Sequence, residues 1–133
     1  MLQEVCGPGQ YRRLRRALYD RGRKVNGYWV PQLTRDGKLH SCGQGQSEGV
    51  AMFTRTKYKM RLRSAKIFKG SGGPGDFRRV IQAANMDVGS REIRVYNTHL
   101  SHINDTWRAR QISAVGRIAS EHPGTELVGE TGT

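Results

Sequence analysis

Short strand-like runs, separated by turn residues, constrain the fold of this chain most. They combine with two helical patterns in the order β–α–β–β–β–β–α–β, which predicts a mixed α/β or α+β layered domain. The helical patterns cover residues 11–21 and 106–120, where apolar residues recur at spacings of three and four. The predicted strands are residues 2–5, 49–55, 58–68, 79–87, 92–100 and 126–128, and residues 28–33 form a strand or an extended piece.

Glycine and proline divide these elements. Residues 7–9 read Gly-Pro-Gly and predict a turn after the first strand, and Gly22 is placed to end the first helix. Residues 88–91 predict a hairpin between two strands, and residues 70–75 predict a flexible loop. The run at 58–68 alternates basic with apolar residues, as an edge strand shielded by charge does.

The second predicted helix has a polar start and an apolar stripe. Asn104 or Asp105 is expected to cap it, and residues 122–124 are expected to end it. Its predicted stripe consists of Trp107, Ile112, Val115, Ile118 and Ala119.

The first predicted helix is strongly basic. Its apolar stripe is Tyr11, Leu14 and Leu18, and the rest of its circumference carries Arg12, Arg13, Arg15 and Arg16. These arginines form either a solvated helix face or a set of contacts to nucleic-acid phosphates. In the second case Tyr28 and Trp29 add base stacking, whereas otherwise both belong to the core.

Net charge is the strongest signal in the composition. The chain has 23 basic and 11 acidic residues, a formal charge of +12, and the whole excess lies in residues 1–70. This favours a polyanionic partner, with nucleic acid first and an anionic lipid surface second, over a merely solubilising surface. No apolar stretch reaches the roughly 20 residues of a membrane helix. The first residues lack the pattern of a signal peptide, so the protein is expected in the cytoplasm unless a leader is absent from this chain.

Two cysteines, Cys6 and Cys42, are too few for a disulfide framework and have no zinc-site spacing around them. They form either one bridge, which would indicate an exported protein, or two separate thiols of a cytoplasmic one.

Polar residues follow apolar runs at three predicted strand ends: Glu4, residues 97–99 and Glu130. Strand ends hold catalytic groups firmly and leave their tips accessible. A carboxylate there suits Mg²⁺, and His99 beside it could protonate a leaving oxygen or hold a phosphate.

The order of these segments resembles the endonuclease/exonuclease/phosphatase superfamily, which includes pancreatic-type deoxyribonuclease, abasic-site endonucleases and bacterial sphingomyelinases. The matching segments are the L-Q-E-V strand at 2–5, G-x-A-x-x-x-R at 49–55, N-T-H-L at 97–100, R-x-x-Q at Arg108 and Gln111, and residues 127–133 where members read G-D-F-N. They span the whole chain in family order and cover about half of a typical member.

The resemblance implies a partial four-layer α/β sandwich of the deoxyribonuclease type, with mixed, mostly antiparallel sheets. It implies Mg²⁺, or Mn²⁺ or Ca²⁺, held by Glu4 with Glu130 as a second ligand. His99 and Asn97 would be the catalytic side chains, and Thr98 would lie at the substrate phosphate. Arg108 and Gln111 would fix the helix against the strand ends.

The cysteines also fit this resemblance. Exported bacterial members carry one cysteine after L-Q-E-V and another before the G-x-A strand, which favours a Cys6–Cys42 disulfide and export.

Departures from the family pattern predict an incomplete site. Residues 1–133 would form a single partial domain without the family's first strand and its C-terminal catalytic segment, and its exposed sheet edges would favour self-association. Glu130 stands where members have Asp, and Gly132 where they have Asn.

The predicted function is a Mg²⁺-dependent phosphodiester hydrolase scaffold of the nuclease type with reduced or no turnover. The alternatives are a non-catalytic basic nucleic-acid-binding module and a fragment of a lipid or inositol phosphodiesterase.

Overall fold

The computed structural model describes residues 1–34, 36–43, 45–68, 78–121 and 125–130, the last range by its backbone only. Its elements are β1 (Leu2–Cys6), α1 (Gly7–Asp20), β2 (Val25–Pro31), β3 (Glu48–Arg55), β4 (Met60–Ile67), β5 (Val80–Val88), β6 (Arg91–Thr98), α2 (Asp105–Ser120) and β7 (Thr125–Glu130). The predicted order is confirmed with one addition, because the segment predicted at 28–33 lies largely in the regular strand β2. The predicted loop at 70–75 and the predicted helix stop at 122–124 lie outside the described residues.

The strands form two sheets. The first has the order β1-β3-β2 and is antiparallel throughout. The second has the order β4-β5-β6-β7, in which the predicted hairpin joins β5 to β6 and β7 runs parallel to β6. A parallel pair needs a crossover, and α2 provides it. The predicted mixed, mostly antiparallel character is confirmed.

The two helices cover the outer faces of the two sheets. Tyr11 of α1 stacks on Phe53 of β3 at a centroid distance of 5.0 Å. Val115 of α2 packs on the second sheet in a cluster with Phe68, Ile81, Ala83, Tyr96 and Leu100. Between the sheets lies a second cluster of Met52, Met60, Ala84 and Val95. The layers are therefore α1, sheet, sheet and α2, which is the four-layer α/β arrangement expected from the sequence.

The first helix begins earlier than predicted. Residues 7–9 are its first turn rather than a separate turn, because proline has no N–H and the first helical turn requires none. Gln10 completes the start by accepting a hydrogen bond from the backbone N–H of Cys6. The helix ends at Asp20, one residue before the prediction, and Gly22 follows with a φ of +70°. Neither helix among the described residues is both long and apolar enough to cross a membrane.

The second helix confirms its predicted cap and corrects its stripe. The Asn104 side chain accepts a hydrogen bond from the backbone N–H of Trp107 at 3.0 Å. Ile112 is 54% exposed, so its assignment to the apolar stripe is wrong. The buried face is centred on Gln111 and Val115, and one residue along a helix turns the side chain by about 100°.

The predicted charged edge strand is confirmed as β4. Arg61 donates two hydrogen bonds to Asp87 at 2.8 Å and one to Glu92 at 2.6 Å. Arg61 thereby lowers the pKa of Asp87. Paired charges of this kind discourage another chain from adding to the edge.

Gly49, the first residue of the G-x-A segment, lies where a side chain has no room. A Cβ on Gly49 would lie 2.2 Å from the Val30 carbonyl oxygen and 2.7 Å from Trp29 Nε1. The indole covers this position because Trp29 Nε1 donates to the Val5 carbonyl at 3.1 Å. Gly49 therefore allows β1, β2 and β3 to approach one another next to Glu4.

We expect Gly49→Ala to lower the free energy of unfolding by about 2 kcal/mol, because the added methyl overpacks a backbone contact. Urea denaturation measures this loss of stability, and the m-value should equal that of the parent protein. Gly116→Ala is the matched control, since nothing lies within 4 Å of its added Cβ and alanine favours a helix interior. That variant should be more stable by up to about 1 kcal/mol. Equal effects of the two substitutions would contradict the packing argument.

Candidate metal and phosphate site

Glu4 occupies an irregular point of β1. The pairing of β1 with β3 shifts register between Leu2 and Val5, and Glu4 has a φ of +53°. It is the one non-glycine residue with a positive φ in the described chain. Such a conformation costs of order 1 kcal/mol and is retained mainly at functional sites. The irregularity leaves the side chain of Glu4 67% exposed at the end of the first sheet.

Three potential metal ligands meet at this end. One ligand atom from each of Glu4, Glu48 and His99 lies within 4.8 Å of the others. His99 Nε2 is 3.9 Å from Glu4 Oε1, and the imidazole is almost fully buried whereas the Glu4 carboxylate faces solvent. Glu4 and His99 were predicted from the sequence, and the structure brings them together.

Glu48 was missed by the sequence reasoning. It begins β3, and the antiparallel register places it opposite Cys6, two residues from Glu4. The available signal was an acidic residue directly before the strand predicted at 49–55. Only the pairing of β1 with β3 shows that this residue shares an edge with Glu4.

A buried polar chain fixes the Glu48 carboxylate. Gln32 Nε2 donates to Glu48 Oε1 at 3.1 Å, and His40 Nδ1 lies 3.7 Å from Glu48 Oε2. Behind them, Arg79 Nη1 donates to Gln32 Oε1 at 3.4 Å and Arg79 Nη2 lies 3.3 Å from His102 Nδ1. Arg79 and Gln32 have no exposed surface. The carboxylate is therefore held in one orientation by groups that cannot easily move.

Asn97 and Thr98 lie beneath the site rather than at its surface. Asn97 Oδ1 accepts from Gln3 Nε2 at 2.9 Å, and Asn97 Nδ2 donates to the Ala51 carbonyl at 3.0 Å. Thr98 Oγ1 donates to the Val80 carbonyl at 3.0 Å. Both side chains are buried. They join the end of β6 to neighbouring strands and so set the position of His99, which comes next in the chain.

The segment after His99 is held by α2. Gln111 Oε1 accepts from the backbone N–H of Ser101 at 2.8 Å, and Arg108 Nη1 donates to the Ser101 carbonyl at 3.1 Å. The rings of His99 and His102 stack at a centroid distance of 6.2 Å. Arg108 and Gln111 thus have the geometry expected of residues that fix the helix to the strand end.

Two further predicted groups border the site. Strand β7 pairs Glu130 with Thr98, so the Glu130 backbone lies at the same sheet edge as His99, and its side chain lies outside the described residues. Cys6 and Cys42 form a disulfide. This bridge links the strand of Glu4 to the segment of His40.

The predicted arginine contacts lie elsewhere. Arg12, Arg15 and Arg16 line a cleft with Lys24 along α1, and Arg13 is exposed outside that lining. Tyr28 and Trp29 are half-buried: the Tyr28 hydroxyl donates to the Met60 carbonyl, and the Trp29 indole N–H donates to the Val5 carbonyl.

Comparison with known proteins identifies the fold. No family model and no curated protein matches this chain. Solved structures do match, among them an endonuclease/exonuclease/phosphatase protein from Bacteroides vulgatus (TM-score 0.66, 20% identity). The mannosyl-6-phosphatase of Bacteroides thetaiotaomicron (TM-score 0.65, 19% identity) is also similar. So is D. rerio TDP2 in complex with a single-stranded DNA product (TM-score 0.56, 16% identity). This chain has the endonuclease/exonuclease/phosphatase fold.

The match to this fold spans nearly all of the chain. It covers 96% of this chain in all three comparisons, and 49%, 48% and 43% of the other proteins. The chain thus spans about half the length of the endonuclease/exonuclease/phosphatase structures it matches. The fold that the sequence resemblance implies is confirmed.

Proposed function

We propose that this chain forms part of a divalent-metal-dependent phosphoester hydrolase that acts on nucleic acid. The observation that carries the proposal is the convergence of Glu4, Glu48 and His99, whose ligand atoms lie within 4.8 Å of one another. They meet at one edge of two packed sheets, in a fold shared with phosphatases and with a DNA-bound enzyme.

The residues present suit a hard divalent cation. Mg²⁺ is bound through one or two protein carboxylates and completes its shell with waters and substrate oxygens. Glu4 is exposed, and each Glu48 oxygen keeps a lone pair beyond its contact to Gln32 or His40. Mg²⁺ held by Glu4 and Glu48 leaves His99 for the substrate, whereas direct ligation by the imidazole would favour a transition metal over Mg²⁺. Ca²⁺ would require more oxygen ligands than this pair supplies.

The chain's own residues have separable tasks in such a site. A bound cation would supply Lewis-acid stabilisation of charge developing on the phosphoryl and leaving oxygens. His99 Nε2 faces Glu4, so this nitrogen is placed to donate a hydrogen bond to a phosphate oxygen. Gln32 and His40 keep the Glu48 carboxylate aimed at the same point, which limits the reorganisation needed during reaction.

Charge supports nucleic acid as the substrate class. The net charge of +12 favours a polyanion over a small sugar phosphate. The D. rerio TDP2 structure contains a single-stranded DNA product. The B. thetaiotaomicron enzyme is a mannosyl-6-phosphatase, so a phosphomonoester belongs in any test.

Metal binding and cleavage by the purified chain test this proposal. We expect Mn²⁺, followed by its electron paramagnetic resonance, to bind at one site and to be displaced by Mg²⁺. We expect cleavage of single-stranded DNA in Mg²⁺ to stop in chelator, with mannose 6-phosphate left intact. Absence of metal binding, or cleavage that persists in chelator, would refute the proposal. Metal binding without cleavage would retain the metal site and refute the hydrolase activity of this chain.

The disulfide supports a proposal about location. Bridges such as Cys6–Cys42 persist in oxidising compartments and are rare in the cytosol. We therefore propose that the protein is exported. Alkylation of free thiols in the native host's fractions, before and after reduction, measures the state of both cysteines.

A further inference from the structure

A basic cleft lies between α1 and the adjoining ends of β2 and β3. It has a volume of about 470 Å³ and is lined by Arg12, Arg15, Arg16, Tyr19, Lys24, Val25 and Thr56. Four of these side chains are cationic. Its walls are α1 and the adjoining ends of β2 and β3, where the Thr56 N–H donates to the Lys24 carbonyl at 3.0 Å.

The cleft is separate from the candidate metal site. Helix α1 starts at Gly7, whose N–H donates to the Ser47 carbonyl beside Glu48, and it runs away from that end. Fourteen residues at 1.5 Å per residue span about 20 Å. Lys24 and Thr56 therefore lie about one helix length from Glu48. None of the residues that line the cleft belongs to the candidate metal site.

Its side chains combine positive charge with an exposed aromatic ring. Asp20 offsets part of the charge through a 3.0 Å ion pair with Arg16. Arg12, Arg15 and Lys24 have no acidic partner among the ion pairs of the described residues. Tyr19 is 57% exposed at the cleft, unlike Tyr28 and Trp29, whose polar atoms bond to the backbone.

This combination matches the recognition of single-stranded nucleic acid. Such sites pair a basic groove that follows the phosphates with aromatic rings on which unpaired bases stack. A base pair in a duplex offers no free face to Tyr19. An anionic bilayer is contacted by protruding basic side chains with apolar anchors, whereas these cations line a concave cleft.

We propose that this cleft binds a single-stranded nucleic acid, with phosphates at Arg12, Arg15 and Lys24 and one base on Tyr19. The site is independent of the metal-dependent activity proposed above. The cleft would bind a single-stranded nucleic acid whether or not the metal site cleaves that nucleic acid.

Fluorescence anisotropy with a labelled oligothymidylate of about 12 nucleotides tests the cleft. Chelator is present throughout, so the result does not depend on metal. We expect Arg12→Ala/Arg15→Ala/Lys24→Ala to weaken binding at least tenfold. The slope of log affinity against log salt should fall by about 2, since each lost phosphate contact to a single strand contributes roughly 0.7.

A matched variant separates the cleft from net charge. Arg91→Ala/Arg110→Ala/Arg117→Ala also removes three exposed cations, but from β6 and α2 on the other side of the molecule. Its affinity should stay within about twofold of the parent. Tyr19→Ala leaves the charge unchanged and should weaken binding about fivefold with the salt slope retained.

Several outcomes would overturn the proposal. Equal losses in both triple variants would mean that binding follows net charge alone, and no loss in either would exclude the cleft. If the cleft triple variant lost binding to phosphatidylserine vesicles but kept its affinity for the oligonucleotide, the cleft would be assigned to a membrane surface instead. Circular dichroism checks folding, and if the cleft triple is unfolded, unchanged affinity in Tyr19→Ala overturns the proposal by itself.

Discussion

Replacing Glu4 by Gln is expected to weaken Mn²⁺ binding at least 100-fold and to abolish any Mg²⁺-dependent cleavage. Glutamine keeps the size of the side chain but removes the charge that a hard cation requires. Loss of an outer-shell partner alone typically costs 10- to 100-fold, so loss of a direct ligand should reach or exceed that range. Titration calorimetry and paramagnetic resonance of Mn²⁺ measure the effect. Glu48→Gln should act in the same direction.

A matched control and a stability measurement make this prediction specific. Glu121 is an exposed carboxylate paired with Lys66 on the other side of the molecule, and Glu121→Gln should leave metal affinity within about twofold. Glu4→Gly should lose metal binding without losing stability, because glycine accepts a φ of +53° at no steric cost. Its free energy of unfolding should be unchanged or higher by about 1 kcal/mol. If both Glu4 variants kept the metal affinity of the parent protein, Glu4 would not be a metal ligand.

Removing the disulfide is expected to cause the largest loss of stability. Cys6 and Cys42 are 36 residues apart in sequence, and cross-linking a loop of that length stabilises the folded state by about 4 kcal/mol in the chain-entropy model. We expect Cys6→Ser/Cys42→Ser to lose about 2 to 4 kcal/mol in urea denaturation. Reduction of the parent protein should cause a similar loss, and reductant should leave the double variant unchanged.

The same bridge should affect the site. It connects β1, which carries Glu4, to the segment of His40, which lies 3.7 Å from Glu48. Without it the two carboxylates lose one constraint on their separation, so Mn²⁺ affinity should fall, and by less than in Glu4→Gln. A stability loss below about 1 kcal/mol, or a reductant effect on the double variant, would contradict the assigned role of the disulfide.

The local pattern of the sequence determined most of the elements. Strand runs, the 88–91 hairpin, the Asn104 cap and the charged edge strand depend on residues near one another in the chain, and all agree with the structure. The predicted start of α1 was wrong because the sequence Gly-Pro-Gly is compatible both with a turn and with the first turn of a helix. The hydrogen bond from the Cys6 N–H to Gln10 favours the helix. Ile112 was misplaced because a polar residue, Gln111, occupies the buried face next to it.

The sequence also predicted two members of the candidate site, since Glu4 and His99 lie in segments whose order resembles a known family. It did not reveal Glu48, the buried chain from Arg79 to Glu48, or Tyr19 as the exposed aromatic of the basic cleft. Each of these depends on strand pairing and helix packing between distant parts of the chain. Register between β1 and β3 decides that Glu48 faces the same edge as Glu4, and no local pattern encodes that register.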